Sequence, residues 1–590
     1  MEAARTELPA KLSAGWLRGQ YLSGALDPEE VIREIIRRAA RDQGMNIWIE
    51  PPSEAHIRPY LEALRELDPL QYPLWGIPFA VKDNIDVGGL STTAACPAYA
   101  YQPEADAAVV ARLIAAGAIP VGKSNLDQFA TGLVGVRSPY GETHNALRPE
   151  YISGGSSSGS AVAVARGQAV FSLGTDTAGS GRVPAALNGL VGYKPSLGAW
   201  TVRGVVPACA SLDCVTVFAH NLEDALAVDR VARGLDAADP WSRAVKRRAA
   251  RLPQRLLLPD APLEFYGPHA DEYRRAWERA EAAVLASGLA AERVDCALFF
   301  EAASILYDGP WVAERWAALG EFVENHREAV LPVTERILSS GAAERHTAAS
   351  LFRAMHRLQR YKGEAAKLLE DAVLVLPTCG GTWTREQLAL NPVSANSDMG
   401  RYTNHCNLLD LSAVAIPAGE AAEKLPFGIT LFALADSEHL LAGAAARLLG
   451  ETVLPQTADG EPAPGWTVLA VCGLHMRGFP LERQMLEHGA SFWQEARTAP
   501  CYELIKLRSE PAKPGLIRQA AGGSSIELEL WLMPSESLGA FAALIPAPLG
   551  LGRVELEDGR KVTGFICEGY AGAEAENITA YGGWRYAVNR

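Results

Sequence analysis

The sequence lacks most features that would place it in a specialised class. Its nine cysteines run from Cys96 to Cys567 without a CxxC pair. An odd count without metal-ligand spacing argues against a disulfide framework and against a zinc site, and points to a reducing compartment. The opening "MEAARTELPAKLSAGW" has no apolar h-region, and no uninterrupted apolar run reaches the roughly 18 residues of a membrane span. Net charge is -14, and the Lys and Arg residues form no dense cluster, so a polyanion is not an expected partner. No repeat period appears. These absences predict a cytoplasmic protein with no nucleic-acid or membrane partner.

The 590 residues, 48% hydrophobic and 21% charged, are too many for one core and too apolar for a disordered chain. Residues 1 to about 65 read as helices, with "DPEEVIREIIRRAARD" acidic at its start and basic toward its end. "PLWGIPFAVKDNIDVGG" and "AAVVARLIAAGAIPVGKSN" then follow the rhythm of an α/β layered sheet. A helical region spans about 270–370, and α/β texture returns with "AVLVLPT" and "SAVAIPAG". The Pro-, Gly- and acid-rich stretch 451–466 reads as a linker. Beyond it, "TVLAVCGL", "CYELIKLR", "SIELELWLMP" and "GRVELEDGRKVTGFIC" alternate as strands, which predicts a small β-rich domain over 467–590.

The stretch "YISGGSSSGSAVAVARG", Tyr151 to Gly167, concentrates the chemistry. A flexible linker is excluded because periodic apolar sequence runs on either side. A phosphate loop would need Lys-Ser/Thr after the second glycine, and there is none. A nucleophile elbow fits loosely, since Gly155 to Gly159 matches G-x-S-x-G. It would also need a downstream acid and histidine, and candidates such as His405 lack a distinctive context.

A fourth reading uses more of the chain. "GGSSSGSAVAVARGQAVFSLGTDTAGSGRVPAALNGLVGYKPS", Gly154 to Ser196, closely resembles the signature of the amidase signature family of serine hydrolases. The likeness extends upstream through "VGKSNLDQFATG" and downstream to about residue 435. It implies a mixed central sheet covered by helices over 1–450, a Ser–Ser–Lys triad, and neither cofactor nor metal. The nucleophile falls on Ser180 in "TAGSGR", the bridging serine, held by a cis peptide in the family, on Ser156, and the lysine on Lys82 in "FAVKDN". Without the resemblance, Lys82 would read as a solvated charge at a strand end.

These residue types suit amide cleavage. A serine hydroxyl needs a positioned base, and burial disfavours the charged form of lysine enough to supply one. Thr177, Ala178, Gly179 and Ser180 are expected to aim backbone N–H groups at a developing oxyanion. Ser157 and Ser158 read as hydroxyls satisfying the loop backbone. Asp176 and Arg182 are expected to pair and fix the turn, and Cys209 and Cys214 to be buried.

The helical segment narrows the substrate. "ILYDGPWVAERWAALGEF" resembles the part of allophanate hydrolases in which a tyrosine and an arginine eight positions apart anchor the substrate carboxylate; here these are Tyr307 and Arg315. A guanidinium suits a carboxylate bidentately, while a helix arginine reaching to solvent is the alternative. "AVCGLHMRGFPLERQMLEHGA" and "ITAYGGWRYAV" resemble the C-terminal domain of the same enzymes. There the domain is associated with decarboxylating N-carboxycarbamate, and His475 occupies the position of the implicated histidine; a core histidine is the alternative. The resemblance implies allophanate as small-molecule substrate, a homodimer, and coupling to a urea carboxylase. The tRNA-dependent amidotransferases of the same family are disfavoured by the acidic balance and the extra domain. A fatty-acid amide hydrolase would show greasy helices that are not seen, and a non-catalytic scaffold would not keep Lys82, Ser156 and Ser180.

Overall fold

The computed structural model describes residues 8–451, 462, 465–573 and 575–588. Most of the expected linker, residues 452–461, 463 and 464, lies outside the described residues. The chain divides into two compact units, with a boundary after Glu451. Among the described residues, no helix is long and apolar enough to cross a membrane.

In the first unit, eleven strands of the described residues form one mixed sheet. In chain order they are β1 (Trp48–Glu50), β2 (Pro78–Lys82), β3 (Ile119–Ser124), β4 (Phe171–Asp176), β5 (Val191–Lys194), β6 (Cys214–Ala219), β7 (Arg255–Pro259), β8 (Ala291–Val294), β9 (Ala372–Pro377), β10 (Leu411–Ala422) and β11 (Leu425–Leu434). Their spatial order is β1-β3-β2-β4-β6-β5-β10-β11-β9-β7-β8. β2 runs parallel to both β3 and β4, while β4 runs antiparallel to β6. β2 to β6 are buried along their whole length. Such strands read as continuous apolar runs because helices cover both faces.

Helix ends follow local chemistry. Asp27 caps Pro28–Arg41 by accepting from the Glu30 N–H at 2.8 Å, and the Glu30 side chain accepts from the Asp27 N–H at 3.2 Å. The small-residue helix Ser158–Ala165 lies against the sheet, and Gly159 permits the approach: a Cβ there would stand 2.2 Å from the Ile47 carbonyl oxygen. The expected helical region contains Ala270–Ala286, Ala297–Asp308, Val312–Asn325, Pro332–Ser339 and Ala348–Leu368, interrupted by β8. β8 escaped the sequence reading because it is four residues long with only Val294 buried, so it shows no alternation.

The second unit is built of β12 (Trp466–Val471), β13 (Ser491–Arg497), β14 (Tyr502–Leu507), β15 (Lys513–Arg518), β16 (Glu527–Pro534), β17 (Leu549–Glu555), β18 (Lys561–Cys567) and β19 (Glu576–Asn577). They form a five-stranded sheet β13-β16-β12-β18-β17 and a three-stranded sheet β15-β14-β19. Ala470, Leu528 and Leu530 pack on one face of the larger sheet, while Leu469, Val471, Trp531 and Met533 fill a core on the other.

Candidate active site

Lys82 closes β2 and is fully buried. Its Nζ donates to Ser156 Oγ at 2.8 Å and to Thr175 Oγ1 at 2.7 Å. No carboxylate among the described residues forms an ion pair with it. Burial pulls its pKa down to about 7, against the more distant charges of Asp127, Asp213 and Asp176. A lysine in this state exchanges its proton near neutrality.

The Gly155–Ser156 peptide is cis, and Gly154 takes a φ of 75°. Only glycine fits at 155, because a Cβ would stand 2.1 Å from Asp127 Oδ2. Asp127 organises this corner. Its carboxylate accepts from the N–H groups of Val134 (3.1 Å), Gly135 (3.0 Å) and Arg137 (2.9 Å), and its own N–H donates to the Ser156 carbonyl at 3.0 Å. Ser157 Oγ donates to the Thr175 carbonyl at 3.1 Å, and Ser158 Oγ donates to Thr143 Oγ1 at 3.0 Å. Both hydroxyls serve the loop.

Ser180 lies on the loop that follows β4 and is 2% exposed. Asp176 shapes this turn: Oδ1 accepts from the Gly179 N–H and Arg182 Nη2, and Oδ2 from the Gly181 N–H and Arg182 Nε, all at 2.9–3.0 Å. Burial pushes the Asp176 carboxyl up, but Arg182 reverses this and holds it below the usual range. Of the expected oxyanion donors, the Gly179 N–H donates to Asp176 Oδ1, three residues earlier, at 2.9 Å. Glycine is nevertheless needed at 179, where φ is 141° and a Cβ would stand 2.4 Å from Thr403 Oγ1.

Thr177 Oγ1 donates to Asp213 Oδ1 at 2.5 Å, while the N–H groups of Ala208 (2.8 Å) and Cys209 (3.0 Å) donate to Asp213 Oδ2. Burial raises the Asp213 pKa, opposed by these donors and by the charge of Arg315. Asp213 had no sequence signal beyond its place in "ASLDCV". Arg315, on the helix Val312–Asn325, is 2% exposed and donates to Thr131 Oγ1 at 3.2 Å. It therefore does not reach to solvent. Its neighbour Glu314 pins the helix, accepting from the Ser211 N–H at 2.8 Å and from Ser211 Oγ at 2.6 Å. Tyr307 falls in the helix Ala297–Asp308, but its side chain lies outside the described residues.

His405 is fully buried between Phe299 (5.2 Å) and Phe432 (4.7 Å), and burial lowers its pKa to about 3. Ser157 Oγ is bonded to the β4 backbone, and among the described residues no hydrogen bond joins it to a histidine. In the second unit, His475 Nε2 lies 3.0 Å from Gln484 Oε1, and its ring stacks on Phe565 at 4.9 Å. It lines a cavity of about 170 Å³, and burial, with Lys513 adding to it, lowers its pKa.

A family model described as Amidase matches residues 30–442, and one described as Allophanate hydrolase C-terminal domain matches residues 467–589. Urea amidolyase of Saccharomyces cerevisiae is 40% identical over 575 residues, 92% of this chain and 31% of that protein. Urea amidolyase of Lachancea kluyveri is 41% identical over 572 residues, again 92% of this chain and 31% of that protein. The chain thus spans about a third of the length of the urea amidolyases it matches. A solved structure of Kluyveromyces lactis allophanate hydrolase is 37% identical with a TM-score of 0.71, covering 98% of this chain and 99% of that one. The chain belongs to the amidase family, among the allophanate hydrolases that carry the C-terminal domain.

Proposed function

We propose that this chain cleaves the terminal amide of allophanate with Ser180 as nucleophile, Ser156 as proton bridge, and Lys82 as general base and then acid. The observation that carries the reading is the 2.8 Å hydrogen bond from Lys82 to Ser156 in a fully buried site, where the amine titrates at about 7. Neutral Lys82 takes the Ser156 proton as Ser156 takes that of Ser180. Ser180 Oγ then attacks the carbamoyl carbon, and the amides of Thr177, Ala178 and Ser180 meet the developing oxyanion. The C–N bond breaks with its electron pair on nitrogen, which receives the proton back through Ser156 and leaves as ammonia. Water hydrolyses the acyl-enzyme to N-carboxycarbamate by the same relay. Arg315, together with Tyr307, anchors the carboxylate, a role supported by the burial of the Arg315 side chain and its hydrogen bond to Thr131 Oγ1.

The second unit, through His475, speeds decarboxylation of that product: the N–C bond breaks, carbon dioxide leaves, and the nitrogen keeps the pair and takes a proton. The resulting carbamate falls to ammonia and carbon dioxide. Similarity over 92% of the chain to part of a yeast urea amidolyase supports coupling to a carboxylase that makes allophanate from urea. A homodimer is the assembly we propose. Ammonia release from allophanate, biuret, malonamate and a simple acyl amide, assayed side by side, tests the substrate; equal rates on all four would remove allophanate. His475→Asn should lengthen the lifetime of N-carboxycarbamate, and an unchanged lifetime would leave the second unit without a chemical role.

A further inference from the structure

We infer that Asp213 is a positioning residue for the amide cleavage, one carboxylate that sets both the loop leading to Ser180 and the helix that carries Arg315. Strand register puts it there. β4 and β6 run antiparallel with Asp176 opposite Cys214, so Thr177 and Asp213 leave the two strands side by side. Both residues are buried, and Thr177 Oγ1 donates to Asp213 Oδ1 at 2.5 Å. Asn407 Nδ2 ties the same two strand ends, donating to the carbonyls of Asp176 and Leu212, each at 2.8 Å. Thr177 opens the run that ends at Ser180, so its hydroxyl fixes the backbone from which the nucleophile projects.

The other carboxylate oxygen serves the anchor helix. Asp213 Oδ2 accepts from the N–H groups of Ala208 and Cys209 and so holds the turn that follows. That turn grips Glu314: the Cys209 thiol donates to Glu314 Oε2 at 3.0 Å, and Ser211 donates to Glu314 through its N–H and its hydroxyl. Burial, with the Glu314 charge adding to it, pushes the Cys209 thiol well up, so it stays protonated as that donor. Glu314 immediately precedes Arg315 on its helix. A chain of hydrogen bonds therefore runs from Thr177 through Asp213 and its turn to Glu314, joining the nucleophile loop to the proposed carboxylate anchor. Such a chain couples its ends only if its middle member matters to both, and Asp213 is that member. Its charge also reaches the base, because Asp213, with Asp127 and Asp176, holds the Lys82 pKa up against burial. The other ionisable groups around Asp213 are Arg315 and Cys209.

The inference rests on the roles proposed for Ser180 and Arg315, and steady-state kinetics of the full chain on allophanate and on a simple acyl amide test it. Thr177→Val keeps the shape and removes the donor. Its kcat should fall roughly 10- to 100-fold on both substrates, the scale of a hydrogen bond to a charged group, and Thr177→Ser should recover most of the loss. Asp213→Asn should lower kcat as far and also reduce the preference for allophanate roughly 2- to 30-fold, because the anchor helix is released with the loop. With one of three supporting charges gone, the acid limb of its log kcat/KM profile should move to lower pH. An unchanged preference with an unmoved limb would overturn the positioning role, as would failure of Thr177→Ser to recover activity. If Asp213→Asn does not fold, the Thr177→Val and Thr177→Ser pair decides alone. Near-normal turnover by Ser180→Ala would remove the proposed function and this inference with it. An inactive Ser180→Ala beside a fully active Asp213→Asn would remove this inference alone.

Discussion

Lys82 and Lys123 occupy neighbouring parallel strands, and neither is exposed to solvent. Lys123 sits 3.2 Å from Asp83 Oδ1 and donates to Thr92 Oγ1 at 2.9 Å. Lys82 has two hydroxyls as partners and only distant carboxylates. Burial lowers the pKa of both amines, but at Lys123 the contacting Asp83 resists that pull directly. One region thus spends its lysine on bracing the loop that begins at Asp83, and the other keeps an amine ready to take a proton. Burial alone does not make a base; the neighbour does. A hydroxyl relays a proton, whereas a carboxylate in contact fixes the charge.

Five experiments would break or sharpen this contrast. Ser180→Ala should lower kcat for ammonia release by roughly 10⁴-fold or more with the fold intact by circular dichroism. Lys82→Met should fall as far, and the double variant no further, because the residues act as one unit; additive losses would separate them. In denaturant unfolding, Lys123→Met should cost about 3–5 kcal/mol by stranding Asp83, while Lys82→Met should cost little. Equal destabilisation by the two would erase the distinction. Arg315→Ala should reduce kcat/KM for allophanate by about 2–5 kcal/mol more than for an uncharged amide; equal loss on both would make the residue a packing element. The smallest effect is in pH. Protonated Lys82 cannot accept from Ser156, so log kcat/KM should rise with pH up to about 7 and level off above it. A flat profile from pH 5 to 8 would mean that another group is the base.

The glycine-serine run made part of the site legible, because its small residues answer to close approaches that nothing larger survives, at Gly155 and Gly159 alike. The roles of Ser157 and Ser158 and the Asp176–Arg182 pair could be read from the same stretch. Thr175 could not: it lies 93 residues from Lys82 and acquires meaning only when β2 and β4 come together. Asp127, Asp213 and the Lys123–Asp83 pair were hidden for the same reason, being common residue types whose partners are remote in sequence. The hydrogen bond from the Gly179 N–H to the Asp176 carboxylate was hidden as well, because backbone freedom permits an N–H to point either way. Among the strands, β13 is half-buried throughout and β15 opens on Lys-Pro-Gly, so neither shows the alternation that reveals the others.

The parallel pairing of β2 with β4 sets Phe79 opposite Phe171, and the two rings stack at 5.0 Å with an interplanar angle of 6°. Side chains alternate along a strand, so sliding β2 by one residue against β4 would turn Lys82 to the opposite side of the sheet. The aromatic pair, with no part in the chemistry, therefore acts as a registration mark for it. Trimming Phe171 to alanine should be felt as a share of molecules whose lysine faces the wrong way, a loss in the number of competent sites at unchanged turnover per site.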